Sequence, residues 1–410
     1  MPRDPRHTRN QSLASQPEVV PVQVASRRFR ATGLAVATIL AVAVAGCGSE
    51  DSPGGADERV LVGAAISTSG PAAFAGVPVR QGIELAVEQA NARGVLGDGV
   101  RIELKTVDVA GDPAAAIAAY RQFEADGAAG VLCCTLGSEA GALRPVMTGS
   151  VTPGVVTVSI LDGLADPPHL FRPFEIPSNP GGIYDQFLDT VVGDAGFTTA
   201  VMVVNDDNQA MVQDSRVYAD ALARNKVRLL DRINAATATT SFTSVATSIV
   251  AKDPDIVVAS TIGSSTAALA RSLRERGYDK PIVSNVGADS AAAYKASAGT
   301  MAGTIFPTPY HADFPVNEAG AAFAKDYQAA YGSKPDMFAA HGYTAAQMLI
   351  TAIADADNHD PEAVGRALSA LGSMESVYGD LTFTGGQAAV EESARHLVWG
   401  ADARITEWGR

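Results

Sequence analysis

The stretch that decides the fold reads VLVGAAI (Val60–Ile66), then STSGPAAFAG (Ser67–Gly76), then, after Val77-Pro78, VRQGIELAVEQAN (Val79–Asn91). The first run is short and apolar, as expected of a strand buried on both faces. The second is rich in small, hydroxylated and turn-forming residues. In the third, Ile83, Val87 and Ala90 recur at helical spacing, which predicts a helix. The alternation then continues. Strand Val100–Val107 and helix Pro113–Glu124 follow, the latter with Pro at an acceptable first position, then Gly130–Cys133, Ser138–Thr148 and Val155–Ser159. A second series opens near Gly182 with a helix to Val192, strand Thr199–Val204, a helix to Ala223 and strand Val227–Ile233. It goes on through helix Ser244–Ala251, strand Ile256–Ser260, helix Thr266–Arg276, and strands Pro281–Ser284 and Thr304–Phe306. Strands separated by helices of this length predict an α/β fold with parallel sheets and right-handed crossovers. Two such series predict two doubly wound lobes.

In open α/β sheets, ligands lie beyond the carboxyl ends of the strands, where the strand order reverses. The segments to watch are therefore Ser67–Gly76, Cys134–Ser138, Ser159–Asp162, Asn205–Gln209, Thr261–Ser265 and Asn285–Asp289. All are rich in Gly, Ser, Thr, Asn and Asp. Such residues cap helices and make turns. Backbone N–H groups at helix starts, beside small hydroxyls, also suit a carboxylate or another polar group.

The N-terminal end sets the compartment. Arg27, Arg28 and Arg30 precede an uncharged run, residues 31–46, that ends in Val44-Ala45-Gly46 before Cys47. A basic cluster, a short apolar stretch and small residues before a cut describe an export signal over residues 1–46. The run is short for a membrane span. Its end resembles the bacterial lipobox, which implies lipidation of Cys47 and anchoring at the extracytoplasmic face of the cell membrane. Residues 47–57 are small, acidic and Gly-rich, as in a flexible tether. Six of the 31 basic and two of the 45 acidic residues lie in residues 1–46, leaving 25 against 43, a net charge of −18. That balance excludes nucleic acid as a partner, because phosphates need a basic face. HExxH, GxSxG, Walker and clustered metal-ligand patterns are absent, so no cofactor, metal or enzymatic activity is expected.

The order of motifs carries a family resemblance. Ser69-Gly70-Pro71 leads through Gly76 to Gly82-Ile83-Glu84-Leu85-Ala86 and Asn91-Ala92-Arg93-Gly94, and Asp108 and Asp112-Pro113 follow. Tyr331-Gly332-Ser333-Lys334-Pro335-Asp336, Tyr343-Thr344-Ala345-Ala346 and Tyr378-Gly379-Asp380-Leu381-Thr382-Phe383 stand towards the far end. Together they resemble the leucine/isoleucine/valine-binding protein family, the solute-binding components of branched-chain amino-acid-type ABC importers. The resemblance implies the type I periplasmic binding fold, with two α/β lobes joined by three hinge crossings. The lobes are expected at 58–178 with 308–376, and at 179–307 with 377–410. It also implies closure of the lobes around a small-molecule solute, permease subunits in the membrane as partners, and a monomer. The alternative is a sensory binding lipoprotein of the same fold without a transport role.

Carried over residue by residue, the resemblance implies a ligand set of Phe74, Cys134, Thr135, Ser138, Ser159, Leu161, Asn208, Ala210, Ile262, Val286 and Asp289. Cys134 stands where leucine-binding relatives have a serine that grips the ligand carboxylate. Ser159 keeps a small polar group, and Leu161 replaces a threonine. Two second-lobe tyrosines fall on Ala210 and on Ile262 or Gly263. The glutamate that pairs with the ligand ammonium falls near Val286, with Asp289 the nearest acid downstream. A buried ammonium without a counter-charge is costly. Either Asp206, Asp207 or Asp289 substitutes, or the solute carries no α-ammonium. The second reading is preferred, with an aromatic or aliphatic acid or amide suiting Leu161, Ala210 and Val286. Closure is expected to involve Ser138, Ser159 and the Asn205–Gln209 loop.

Five residues keep two readings. Phe74 closes over the ligand or anchors its own loop. Tyr343 faces the cleft or belongs to the core. Arg172 grips a carboxylate or makes a hinge salt bridge, and the salt bridge is preferred. Cys133 and Cys134 form a vicinal disulfide, which an oxidising exterior permits, or remain free thiols at the strand end, pointing to opposite faces. Free thiols are preferred.

Overall fold

The computed structural model describes residues 58–193, 195–390 and 395–409. The export segment 1–46, Cys47 and the tether 47–57 lie outside the described residues. From residue 58 the chain runs β1 (Glu58–Ile66), α1 (Ala73–Arg93), β2 (Val100–Asp108), α2 (Pro113–Ala125), β3 (Gly130–Cys133), α3 (Gly137–Met147), β4 (Gly154–Val156) and β5 (Leu170–Phe171). These strands form one sheet in the order β2-β1-β3-β4-β5, parallel throughout. The second series gives α4 (Ile183–Leu188), β6 (Thr199–Asn205), α5 (Gln209–Arg224), β7 (Arg228–Ala235), α6 (Thr243–Lys252), β8 (Ile256–Ser260), α7 (Gly263–Arg274), β9 (Ile282–Ser284), α8 (Ala291–Ala296) and β10 (Thr304–Thr308). The chain then returns to the first sheet with α9 (Glu318–Tyr331), α10 (Met337–Asp355) and α11 (Pro361–Ala370). It ends in β11 (Ser373–Ser376), β12 (Gly379–Thr384), β13 (Gln387–Val390), β14 (Arg395–Trp399) and β15 (Ile405–Glu407).

The central strands are apolar for the reason anticipated. β3 and β8 are buried along their whole length, with helices on both faces of each sheet. The second sheet has the order β15-β14-β10-β9-β8-β6-β7. Its parallel part, β7-β6-β8-β9-β10, repeats the order of the first sheet. β14 and β15 extend it with antiparallel pairings, and β11–β13 form a separate antiparallel meander. The sequence reading assigned neither feature, because these strands are short and only partly buried. The expected lobe border at 376/377 falls at the turn between β11 and β12.

α1 begins six residues earlier than the periodicity suggests and contains Pro78. Its early turns sit close over β1. A Cβ on Gly76 would stand 1.8 Å from the Ser67 carbonyl oxygen. Further along, α1 crosses α10 at backbone contact. A Cβ on Gly82 would lie 2.1 Å from the Ala339 carbonyl oxygen, and one on Gly342 would lie 2.1 Å from that of Val79. Each glycine costs a helix about 1 kcal/mol against alanine, and the close crossing that it permits offsets this. The crossing locks α10, whose N-terminal turn reaches the site described next, onto the first sheet. No described helix is long and apolar enough to cross a membrane.

Candidate functional site

Both sheets reverse their order at the same place, between β1 and β3 in one and between β6 and β8 in the other. The four turns that leave these strands face a single cavity of ≈ 660 Å³, open mouth included. From the first sheet's side come Ala72, Phe74 and Ala75 after β1, Thr135, Leu136 and Gly137 after β3, and Val158, Ser159 and Ile160 after β4. From the second come Asn208, Ala210 and Met211 after β6, Thr261 and Ile262 after β8, and Asn285, Val286 and Gly287 after β9. Glu175 and Pro177 from the hinge, Pro309, and Met337, Phe338 and His341 of α10 complete the wall.

The two sides touch across the cavity. Ser264 Oγ donates to the Pro71 carbonyl (2.9 Å), and the Asp162 N–H donates to Gln213 Oε1 (2.9 Å). Gln213 Nε2 donates in turn to Asp162 Oδ1 (3.0 Å) and to Ser178 Oγ (2.6 Å). The approach is close enough to demand glycine. A Cβ on Gly137 would stand 2.6 Å from Asn208 Oδ1 and 2.9 Å from Ala210 Cβ, and one on Gly263 would stand 2.7 Å from the Phe74 ring. The arrangement is therefore a closed one.

Of the residues expected in the ligand set, Phe74, Thr135, Ser159, Asn208, Ala210, Ile262 and Val286 surround this cavity. Phe74 packs edge-on against Phe338 (5.5 Å between ring centres), so it closes the wall and anchors its turn at once. Four expected residues do not line it. Ser138 lies in the first turn of α3, outside the wall. Leu161 faces an outer groove with Asp162, Asp206 and Gln209, and its neighbour Ile160 takes the inward position. Asp289 is buried behind the hinge, where it accepts a hydrogen bond from Thr308 Oγ1 (2.7 Å). Cys134 is buried and bonded to Cys133, which overturns the preference for free thiols. Its φ of 77° turns the chain sharply and leaves Thr135 and Leu136 to reach the cavity.

The acids offered as partners for an ammonium also fall elsewhere. Asp207 Oδ1 accepts from Thr237 N (2.7 Å) and Oγ1 (2.6 Å), and Asp206 lines the outer groove. The lining carboxyl is instead Glu175, in the first hinge crossing. It is half-buried, and burial holds its pKa above the ordinary carboxylate range. It makes no hydrogen bond or ion pair with the described residues. The premise for a solute without an ammonium, a site lacking an acid, is thereby removed. His341 is buried, stacks edge-on against Phe174 (4.2 Å), and has no partner for Nδ1. Burial pushes its pKa down to about 3, so the imidazole is neutral. Sequence reasoning missed both residues because neither follows a strand in the way that the other wall segments do. The signal available was Phe174-Glu175-Ile176-Pro177, an acid placed between the two strand–helix series.

Arg172 does not line the cavity, and it makes no salt bridge among the described residues. It is fully buried, and its Nε donates to Gln387 Oε1 (2.8 Å). Its Nη1 donates to the carbonyls of Ser159 (3.2 Å) and Leu161 (2.8 Å). Burial lowers its pKa to about 10, opposed by Asp162, so it stays charged near neutral pH. It ties the β4 turn and the meander to the hinge. Tyr343 is a core residue: its hydroxyl donates to Gln89 Oε1 (2.6 Å) and its ring packs on Phe323.

The carboxylate-binding potential read into the helix starts is largely used within the chain. Glu139 is wholly buried and takes Thr135 N (2.8 Å), Leu136 N (3.0 Å) and Ser67 Oγ on its carboxyl. Burial raises its pKa, and those three donors partly offset the rise. Asn208 Oδ1 takes Ala210 N (3.1 Å), Asn205 Oδ1 takes Ile262 N (2.9 Å), and Asn285 Oδ1 takes Gly287 N (2.9 Å).

With this geometry in hand, comparison with known proteins identifies the family. The periplasmic binding protein family matches residues 59–403, and the chain belongs to it. A Leu/Ile/Val-binding protein homolog 1 from Brucella melitensis is 23% identical over 377 residues, covering 87% of this chain and 92% of that protein. A leucine-binding protein from Thermotoga maritima superposes with a TM-score of 0.76 at 19% identity, over 85% of this chain and 97% of its own. A branched-chain amino acid substrate-binding protein from Streptococcus pneumoniae, solved with isoleucine, gives 0.76 at 20% identity, over 85% and 98%. An ABC-transporter solute-binding protein from R. palustris, solved with benzoate, gives 0.75 at 20%, over 86% and 96%. The fold is the type I periplasmic binding fold, as the order of motifs implied.

Proposed function

From membership of this family, we propose that the chain is a solute receptor of an ABC importer, held at the extracytoplasmic face of the membrane by lipid on Cys47. The solute is a small organic molecule of the amino acid, amide or aromatic/aliphatic acid type. It binds between two lobes, 58–178 with 308–376 and 179–307 with 377–410. A membrane permease reads the closed state. The observation that carries this reading is the pairing of two switch points on one apolar cavity, with contacts from Pro71 to Ser264 and from Asp162 to Gln213 closing it. Solute would stabilise that closed state through contacts that only closure completes. The relatives' leucine, isoleucine and benzoate share a compact apolar body, which suits walls of Phe74, Leu136, Val158, Ile262 and Phe338. A thermal-shift screen of amino acids, amides and small acids tests the reading. At about 100-fold excess over Kd, a true solute raises Tm by roughly 5 °C, and silence across the screen contradicts it. The anchor is tested separately: Cys47→Ala releases the protein from the membrane fraction if the lipid is there.

A further inference from the structure

We propose that the cavity selects an apolar solute whose head group donates hydrogen bonds, an amide or an ammonium, over an isosteric solute whose only polar group is a carboxylate. The inference rests on the cavity being the solute site and names the chemistry that it takes. Three observations carry it.

First, no lysine or arginine among the described residues lines the cavity. The guanidinium of Arg172, which meets the lining residue Ser159, directs its hydrogen bonds to Gln387 and to the carbonyls of Ser159 and Leu161.

Second, the turn after β3, where an anion would meet backbone N–H groups at a helix start, already holds an anion-type group of the protein's own. Glu139 occupies Thr135 N and Leu136 N. A solute carboxylate there would have to displace it or lie against it, and like groups side by side repel. The N–H groups of Ala210, Ile262 and Gly287, on the opposite wall, are taken by asparagine side chains.

Third, a carboxyl and an imidazole without partners among the described residues share the wall of the cavity. Glu175 is the one carboxyl among the lining residues and has no partner among the described residues. His341 is more than nine-tenths buried, lines the same cavity, and presents an imidazole whose Nδ1 has no partner. Both belong to the hinge end of the chamber, through Phe174, whose ring stacks on His341 and whose next residue is Glu175. An unpaired carboxyl in the wall discriminates against a solute that brings only a second carboxylate, because two such groups repel, and favours one that brings a donor, which the carboxyl accepts.

The test is isothermal titration of the full chain with two sets of isosteres: isovaleramide, isoamylamine and isovalerate, and benzamide, benzylamine and benzoate. In at least one set, the amide or amine is expected to bind about tenfold or more tighter than the matching acid. Glu175→Gln should reduce the amine's advantage about tenfold without changing the unfolding transition, whereas Phe74→Ala should weaken all members of a set alike. Acids that bind as well as the amides and amines in both sets, or an order unmoved by Glu175→Gln, overturn the proposal and leave the receptor reading standing. Silence from all six at millimolar concentration overturns the proposal, while the receptor reading is decided by the wider thermal-shift screen.

Discussion

Two glutamates face each other across the logic of this site. Glu139, beneath the turn after β3, is fully buried and accepts from one hydroxyl and two backbone N–H groups. Glu175, in the hinge after β5, is half-buried and accepts from nothing described. Both carboxyls are raised by burial. Only Glu139 has its burial answered by internal donors. A satisfied buried carboxyl is part of the scaffold, while an unsatisfied one at a cavity wall is left for a ligand. On the proposed reading, Glu139 belongs to the scaffold and Glu175 to solute recognition.

The largest effect expected from breaking this contrast is at Glu139. Glu139→Ala leaves Ser67 Oγ and the N–H groups of Thr135 and Leu136 without their acceptor, at a cost of about 3–4 kcal/mol. Urea denaturation measures it. A loss below about 1 kcal/mol would place Glu139 outside the scaffold.

Asp289 supplies the next test, because it was expected in the site and lies behind the hinge instead. Burial raises its pKa to about 7, and burial together with repulsion from Asp289 raises that of Asp336 to about 8. In the unfolded chain both release protons near pH 4. Their contribution to stability is therefore complete below pH 4 and is lost as pH rises through 7 to 8. Each extra proton held by the folded state steepens the loss by up to ~1.4 kcal/mol per pH unit. Unfolding free energies of the wild type and Asp289→Asn, compared from pH 5 to 8, should diverge by about 2 kcal/mol, with the wild type the steeper. Parallel curves would contradict the assignment.

Closure comes third. Gly137→Val places methyl groups where Asn208 and Ala210 must approach. Overpacking of about 1–3 kcal/mol falls on the closed state, so solute affinity should drop about tenfold or more while stability of the unliganded chain changes little. Calorimetric titration beside thermal unfolding separates the two.

The smallest effect on stability is at Glu175. Glu175→Gln should leave unfolding within about 0.5 kcal/mol of the wild type, or stabilise it, because no internal bond is broken. That result beside a large loss at Glu139 sharpens the contrast, and equal losses at both would erase it.

The fold was readable because buried parallel strands are short apolar runs and their crossover helices are periodic. Val60–Ile66 and Ile256–Ser260 need no partner to be recognised. The meander and β14–β15 were not readable, since partly buried antiparallel strands such as Gly379–Thr384 carry weaker patterns. In the cavity wall, the rule that ligands meet strand ends pointed to the segments that hold Thr135, Ser159, Asn208, Ile262 and Val286, and the family resemblance added Ala210. It placed Leu161 inward where Ile160 stands, because one residue of slip in an extended turn reverses the side. It also took Cys134 for an open group, when a bond to its neighbour closes it. The residues that give the cavity its polarity were invisible to that rule. Glu175 comes from a crossing and His341 from a helix more than two hundred residues beyond β1, and only the packing of α10 against α1 brings His341 in.

The most direct test is the crystal structure of the chain with its solute. The prediction is a donor group of the solute within about 3.2 Å of the Glu175 carboxyl or the His341 ring, with Glu139 still bonded to Thr135 N and Leu136 N. A solute carboxylate seated on those two N–H groups, with Glu139 displaced and Glu175 untouched, would contradict it.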